Sequence, residues 1–246
     1  MKNSFKKYKN ICVLSLLIVI SFLYACEEET PIPIIPEKGT VTDASGNVYK
    51  TVKIGEKWWM AENLKTTKFK NGNTIEQIEN GDDWQNGSAA YCTFENSPLA
   101  PGFLYNWAAV KSDNGLAPDG WHVATEEDWK NLERYLKMSE AEVNKVNWRE
   151  DNKVGDKLKT KGPVSWTKFE NVWGNNESGF EALSGGCRLN NGNWGNPGIG
   201  AAGFWWASTE NDYYTAWMRQ LDYKKSGVFR FYVSKNYGLS VRCVKD

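Results

Sequence analysis

The sequence contains little histidine and no excess of charge. His122 is the single histidine among 246 residues, and 30 lysines and arginines balance 30 aspartates and glutamates. One histidine excludes a histidine-based zinc or copper site, and its position between Trp121 and Val123 favours a packed or surface strand residue over a lone ligand. Binding to nucleic acid needs a basic face, which this balanced composition does not indicate. We therefore expect no nucleic-acid partner.

Cysteine is also scarce. Of the five cysteines, Cys12 and Cys26 lie near the N-terminus, which leaves Cys92, Cys187 and Cys243. Three cysteines form at most one disulfide and leave one thiol over. No pair has the Cys-x-x-Cys spacing, so the sequence gives little support for a redox site or a thiolate metal site.

The N-terminus combines a basic leader with an apolar run. Four lysines precede residues 11–24, which are almost all apolar. This pattern is typical of a secretory signal peptide, residues 1–25, and the run is shorter than the roughly 20 apolar residues of a membrane-spanning helix. It ends in LYAC, residues 23–26, which resembles the bacterial lipobox and predicts lipidation of Cys26 and a membrane anchor. The alternative is an ordinary signal peptide, with Cys26 an incidental thiol.

An acidic run and a proline-rich run follow. Residues 27–29 are all glutamate, which resembles the export signal that sends lipoproteins of the Bacteroidetes to the outer face of the outer membrane; a solvated linker is the alternative. Residues 30–36 (TPIPIIP) predict a stiff, extended spacer of about 3 Å per residue. We therefore expect an outer-membrane lipoprotein displayed at the cell surface, with a linker over residues 26–40 and one domain over residues 41–246.

Abundant tryptophan and glycine indicate many short strands around an aromatic core. The chain has 13 tryptophans and 22 glycines against 8 prolines. The clearest helix begins after Thr125, whose hydroxyl forms a capping-box pattern with the Asp128 carboxylate. Trp129, Leu132 and Leu136 then recur at helical spacing and need an apolar partner. These features predict an α+β domain in which short, twisted antiparallel strands surround one or two helices.

Turn signals divide the rest of the domain into hairpins. Typical turn residues occur at 45–47, 55–56 and 71–72. A second capping box, Ser139–Glu142, predicts a shorter helix that ends near Val146. The last third of the chain predicts a run of antiparallel strands at Gly203–Glu210, Ala216–Leu221, Val228–Val233 and Leu239–Val244.

Residues 80–87 (NGDDWQNG) predict a polar loop. The Asp82 and Asp83 carboxylates can offer oxygen ligands to a hard cation, which makes calcium the candidate cofactor. The spacing of a calcium-binding loop is absent, so a solvated loop is the alternative.

Six motifs, in order, carry a resemblance to a known family. They are WWMAENLKT (58–66), LYNWAAV (104–110), PDGWHVATEEDWKNL (118–132), NNESGFEAL with GGCR (175–188), FWWASTE (204–210) and SVRCVKD (240–246). The set looks like the Fibrobacter succinogenes major paralogous domain over residues 41–246. It is more distantly similar to the C-type-lectin-like fold shared with formylglycine-generating enzymes, so the resemblance implies a fold of that kind with a tryptophan-rich core.

Two positions depart from the family pattern. Ala117 stands where the family often has a cysteine before Pro-x-Gly-Trp, and Cys187 stands where an aromatic residue usually follows the Gly-Gly pair. A disulfide expected in relatives is therefore missing or rerouted here, and a Cys92–Cys243 pairing is what the resemblance leaves.

The resemblance implies no common activity, because one fold hosts many functions. C-type-lectin-like folds often bind sugars through calcium or proteins through loops, so we interpret the chain as a non-catalytic surface module that binds a glycan or a protein partner. Sugar recognition uses aromatic faces and polar side chains. Because Trp205 and Trp206 alternate on a strand, at least one of them belongs to the core. The ligand-binding candidates are Trp194, Trp205, Glu210, Asn211, Asp212 and Tyr213.

Two rival functions stay open. One is a structural subunit of a surface assembly. The other is an enzyme: a formylglycine-type oxidase would need two neighbouring cysteines, and hydrolysis by paired carboxylates would need several acids to converge in space. Those acids are Glu126, Glu127, Asp128, Glu177 and Glu210. The first three are better explained as charges at a helix start, so the sequence predicts no catalytic residue.

Overall fold

The computed structural model describes residues 36–98, 100–162, 165–170 and 174–246. The expected signal peptide, Cys26, the acidic run and the spacer up to residue 35 lie outside the described residues. Within the described ranges, no helix is long and apolar enough to cross a membrane.

The described residues form short strands and short helices in mixed order. In chain order the strands are β1 (Lys38–Thr42), β2 (Val48–Ile54), β3 (Lys57–Met60), β4 (Glu76–Gln77), β5 (Ala90–Cys92), β6 (Leu104–Tyr105), β7 (Trp121–Val123), β8 (Asn147–Arg149), β9 (Ala202–Glu210), β10 (Thr215–Asp222), β11 (Val228–Ser234) and β12 (Cys243–Lys245). The α-helices are α1 (Gly81–Trp84), α2 (Trp107–Val110), α3 (Glu126–Tyr135), α4 (Glu140–Val143) and α5 (Val154–Leu158).

Three sheets organise these strands. The orders are β1-β2-β3-β12-β7, β8-β11-β10-β9 and β4-β5-β6. Strands β4 and β5 pair in parallel, and the other pairs are antiparallel. The predicted α+β class with short antiparallel strands is confirmed.

The hairpin predictions at the N-terminal end are confirmed. Gly46 donates to the Asp43 carbonyl oxygen at 3.0 Å between β1 and β2. Gly55 turns β2 into β3 with a φ of 61°, a left-handed value that glycine adopts without steric cost. Strand β1 already begins at Lys38, so residues 38–40 of the expected linker belong to the sheet.

The last strand is shorter than the predicted Leu239–Val244. Strand β12 covers Cys243–Lys245 and pairs antiparallel with β3 and β7. Leu239 bridges to Tyr105 and Ser240 bridges to Trp205, so this segment crosses from one sheet to another before β12 begins. Long-range pairing of this kind leaves no local signal in the sequence.

Helix α3 forms as the capping pattern predicts. The Thr125 hydroxyl accepts from the Asp128 backbone N–H, and the Asp128 carboxylate accepts from the Thr125 backbone N–H. Trp129, Leu132 and Leu136 are buried on one side of the helix. The Trp129 indole donates to the Trp206 carbonyl oxygen at 3.2 Å, which fixes the helix against β9.

Helix α4 starts without the predicted second capping box. Ser139 precedes it, but its side chain makes no capping hydrogen bond, and the helix ends at Val143 rather than near Val146. The Ser139 backbone N–H donates instead to the Asp151 carboxylate at 2.7 Å. Because this partner comes from a distant segment, tertiary structure replaces the local cap.

Tryptophan fills the core, as the composition indicates. Among the described residues, the following indoles are at most 1% exposed: Trp59, Trp84, Trp129, Trp205 and Trp206. The rings of Trp59 and Trp129 lie 5.3 Å apart between centroids, so sheet and helix meet through aromatic contact.

A buried ion network joins α3 to the four-stranded sheet. Glu133 is fully buried and accepts two hydrogen bonds from Arg149, at 2.7 and 2.8 Å. Arg219 donates to Glu133 at 2.7 Å and to Glu126 at 2.7 and 3.2 Å. Arg230 donates to Glu126 at 2.6 Å. Each of the two carboxylates is therefore paired with two guanidiniums inside the protein, and Arg219 is shared between them.

The protonation of Glu133 reflects this environment. Burial alone would raise the pKa of Glu133, but the Arg219 and Arg149 guanidiniums outweigh burial and lower that pKa. Glu133 therefore stays ionised and holds both arginines by charge-assisted hydrogen bonds.

The expected Cys92–Cys243 disulfide is wrong. Cys92, Cys187 and Cys243 are all free and buried. Cys92 belongs to β5 and packs in a cluster with Trp84, whereas Cys243 belongs to β12 and packs in another cluster. Burial raises the pKa of Cys92 and of Cys187 to about 12, so both remain thiols at neutral pH.

We predict that Arg219→Leu lowers the free energy of unfolding by about 3–5 kcal/mol, because it leaves two buried carboxylates without their shared partner. Urea denaturation measures the change. Arg134→Leu is the matched control, since Arg134 pairs with Glu127 and Glu140 at the surface, and its cost is expected to stay within about 1 kcal/mol. Equal costs for the two variants would contradict the account of the network.

We also predict that peptide mapping without reduction, after alkylation in denaturant, recovers Cys92, Cys187 and Cys243 each as an alkylated thiol. In the native state the same thiols are expected to react slowly, because all three are buried. Recovery of a peptide pair linked through Cys92 and Cys243 would contradict the prediction.

Candidate functional site

Trp205 is a core residue, so its assignment as a ligand-binding residue is wrong. Its side chain is 1% exposed, and its indole donates to Asn63 Oδ1 at 2.9 Å. Trp206 is fully buried as well and donates to the Tyr105 carbonyl oxygen. Strand β9 lies at the edge of its sheet, but Trp129 of α3 packs against Trp205 and Trp107 of α2 packs against Trp206, so alternation exposes neither indole.

Trp194 supports the interior from a partly buried position. Its ring lies 5.3 Å from the Phe94 ring and 4.7 Å from the guanidinium of buried Arg188. Arg188 donates to the carbonyl oxygens of Ile78 and Glu79, both at 2.7 Å. Trp194 therefore packs with a different part of the molecule from the other candidates.

The other candidates share the tip of the β9–β10 hairpin. Glu210 pairs with Lys235 at 2.9 Å, and Asp212 accepts from two backbone amides of its own turn. These polar groups stabilise the conformation of the tip. The exposed side chains of the tip are aromatic: Tyr213 is 81% exposed and Tyr214 is 75% exposed.

The metal candidates fall at the start of a helix rather than in a loop. Asp82 and Asp83 form the first turn of α1, which ends at the buried Trp84. Asp83 also lines an acidic cavity with Glu76 and Glu79. Nowhere in the described residues do three histidine, cysteine or acidic side chains come together closely enough to hold a metal ion.

Four of the five acids considered for catalysis have separate partners. Glu126 binds Arg219 and Arg230, Glu127 binds Arg134, and Asp128 caps α3. Glu210 binds Lys235, and Glu177 is exposed. The structure thus ties up four of them in ion pairs or a cap rather than in a carboxylate pair.

A row of aromatic side chains crosses the four-stranded sheet on the face away from α3. Trp148 of β8 lies opposite Phe229 of β11. Gln220 of β10 lies opposite Phe229 on one side and Phe204 of β9 on the other. Opposed residues point to the same face, so we call Trp148, Phe229, Gln220 and Phe204 the outer row. All four are partly exposed, and four strands at ordinary spacing give the row a length of about 14 Å.

The buried arginines explain why this row faces outward. Each of the three strands β8, β11 and β10 sends one arginine towards α3: Arg149, Arg230 and Arg219. Successive strand residues point to opposite faces, so their neighbours Trp148, Phe229 and Gln220 must point the other way. In the sequence, each of these three strands has an arginine next to an aromatic or amide residue, and this repeated pair is the signal for the row. Sequence reasoning missed it because arginine is normally placed on the exposed face.

A cleft of about 240 Å³ shares Phe204 and Gln220 with the outer row. The sheet contributes Met218 and Val233, and the loops contribute apolar side chains and the Asn196 amide. Among the described residues that line it, none is lysine, arginine, aspartate or glutamate. The cleft is therefore an uncharged, largely apolar recess beside an aromatic surface.

A second, larger cavity of about 440 Å³ lies beside His122. It is lined by lysines and small polar residues as well as by Trp121, and its Lys70 pairs with Asp119 at 3.1 Å. Mixed charge and a single indole make it a poorer platform for sugar rings than the outer row.

His122 belongs to β7, which confirms its interpretation as a strand residue. Its ring lies between the carboxylates of Asp128 and Asp246. Its Nε2 lies 2.9 Å from Asp128 Oδ2, and its Nδ1 lies 2.6 Å from Asp246 Oδ1. The hydrogen bond with Asp128 raises the pKa of His122, with a further contribution from Asp246 and against the effect of burial. The His122 imidazole thereby connects Asp246 to Asp128 at the start of α3.

We predict that the imidazole signals of His122, the single histidine, titrate with a pKa above the ordinary value of about 6.5. Asp246→Asn should move that pKa down, and NMR titration measures both. Because the folded-state pKa is raised, the stabilisation is complete below the unfolded value and is lost as pH rises through the folded value. A pKa at or below 6.5 in the native protein would contradict this geometry.

The comparisons with known proteins identify the family. The family model described as the Fibrobacter succinogenes major domain matches residues 52–245. Searches of the curated proteins and of the solved structures find no match. The match spans most of the chain and contains the outer row, the cleft and the ion network, and the chain therefore belongs to the Fibrobacter succinogenes major domain family.

Proposed function

We propose that this protein is a non-catalytic binding module that holds a neutral glycan chain on the outer row. The observation that carries the proposal is the register of Trp148, Phe229, Gln220 and Phe204 across four strands. Part of this face is buried in a second core cluster through Trp206 and Met218, and Phe204 and Phe229 pack against that cluster but stay partly exposed. Such a partly exposed apolar strip is a candidate binding surface.

Ring spacing supports a sugar ligand. The centroids of Trp148 and Phe229 lie 5.3 Å apart with planes tilted by 48°, and those of Phe229 and Phe231 lie 5.6 Å apart with planes tilted by 29°, so neighbouring rings are in contact. Aromatic faces pack against the apolar faces of pyranose rings, while an amide such as Gln220 binds hydroxyl groups.

The charge around the row supports a neutral ligand. Lys225 lies 5.8 Å from the centre of the Trp148 ring, but it pairs with Glu150 at 3.6 Å. An unpaired lysine would favour an anionic ligand. Because Glu150 compensates the charge of Lys225, the surroundings of the row favour a neutral ligand.

Three finer assignments belong to the same proposal. The lipobox-like LYAC and the acidic run support an outer-membrane lipoprotein displayed at the surface. The position of β12 between β3 and β7, joining the two ends of the domain, supports a C-type-lectin-like architecture. The ion pairs around the candidate acids support binding without catalysis.

A protein partner is the second candidate, and the hairpin tip favours it. Tyr213 and Tyr214 expose most of their surface and meet edge to face with centroids 4.8 Å apart. Exposed tyrosines of this kind often act as contact residues at protein interfaces. Such a partner would also suit a structural subunit of a surface assembly.

We predict that Trp148→Ala weakens binding of soluble neutral oligosaccharides about tenfold or more, since it removes a ring from the end of the row. Isothermal titration calorimetry with a panel of plant and host oligosaccharides measures the loss. The matched control is Tyr213→Ala, which removes a more exposed ring at the hairpin tip and should leave the affinity unchanged. Loss of binding in the tip variant alone would move the ligand site to the hairpin and overturn the proposal.

A further inference from the structure

The cleft beside the outer row carries an inference about the ligand, which rests on the proposed function. Phe204 and Gln220 belong to both the row and the cleft, so a sugar ring stacked on the row has the cleft at its edge. Pockets that enclose a drug-sized ligand have volumes of about 300–1,000 Å³. At about 240 Å³, this cleft is suited to one group of a larger ligand.

The apolar side chains that line the cleft determine which kind of chemical group it can bind. Leu189, Phe204, Met218, Val233 and Leu239 line the recess. A hydroxyl group buried against these five side chains would lose its hydrogen bonds to water and find replacement partners only at the polar positions of the cleft, which is unfavourable elsewhere in it. A plain hydroxylated sugar therefore gains little from the cleft, whereas a methyl group gains from leaving water.

Two side-chain amides in the cleft determine which polar group the ligand should carry next to the methyl group. The side chains of Gln220 and Asn196 line the cleft, and neither has a hydrogen-bond partner within the part of the chain that the structure describes. A side-chain amide offers both a donor and an acceptor. An incoming group that carries its own N–H and carbonyl would satisfy both functions.

We propose that the cleft receives the acetamido group of an N-acetylated hexosamine, so that the ligand is a neutral chain containing N-acetylated sugars. The methyl group packs against the apolar walls, and the amide of the substituent pairs with Gln220 and Asn196. Uncharged walls exclude a charged substituent such as a carboxylate or a free ammonium group.

The test compares two neutral chains of equal length that differ in this substituent. Calorimetry with the full-length protein, purified in detergent, measures the affinity for chitotetraose and for cellotetraose. We expect chitotetraose to bind about tenfold more tightly. Gln220→Leu should reduce that ratio to about threefold or less. The matched control is Gln85→Leu, at an exposed glutamine that follows α1, and it should keep the full ratio.

The outcomes separate this inference from the proposed function. Equal affinity for the two chains, with loss of both in Trp148→Ala, would overturn the inference and leave glycan binding on the outer row intact. A preference for chitotetraose that persists in Gln220→Leu would also overturn it, because the discrimination would then lie outside the cleft. Binding of neither chain would overturn the inference, and the oligosaccharide panel then decides the proposed function separately. A wild-type dimer that Trp148→Ala converts to a monomer would overturn both.

Discussion

The ion network between α3 and the four-stranded sheet is the constraint on which the remaining architecture depends. Glu126 and Glu133 stand on the inner side of α3 and together hold three arginines from three strands. Buried charges are costly unless each has a partner, so the network is compatible with one register of the sheet against the helix. Each carboxylate binds two of the arginines, so a slip of one residue along any of the three strands would remove one of these partners and turn an arginine to the opposite face of the sheet.

This constraint also determines what the opposite face of the sheet presents. With arginines directed inward, the aromatic neighbours are directed outward, and the outer row follows from the alternation of a β-strand. The loops that pack beside Phe204 and Gln220 then leave the uncharged cleft at the edge of the row. The proposed binding surface and the core are thus two consequences of one pattern. The proposed ligand is the chemistry that fits this face: flat rings, neutral groups and one apolar substituent with an amide.

Local features were predictable from the sequence, and long-range ones were not. The cap at Thr125 and the turn at Gly55 depend on residues within a few positions, so their patterns predict the observed geometry. Trp205 was misplaced because exposure depends on what covers β9, which sequence periodicity does not report. The arginines were missed for the same reason: their carboxylate partners lie up to 104 positions away along the chain. Even so, the alternation of arginine with aromatic residues on β8 and β11 was present in the sequence.

The measurement that tests the central claim most directly is a crystal structure of the protein in complex with a neutral N-acetylated oligosaccharide. The account predicts sugar rings packed on Trp148 and Phe229, with an acetamido group inside the cleft next to Gln220. Density for the sugar at Tyr213 and Tyr214, or in the cavity beside His122, with the outer row left uncovered, would contradict it.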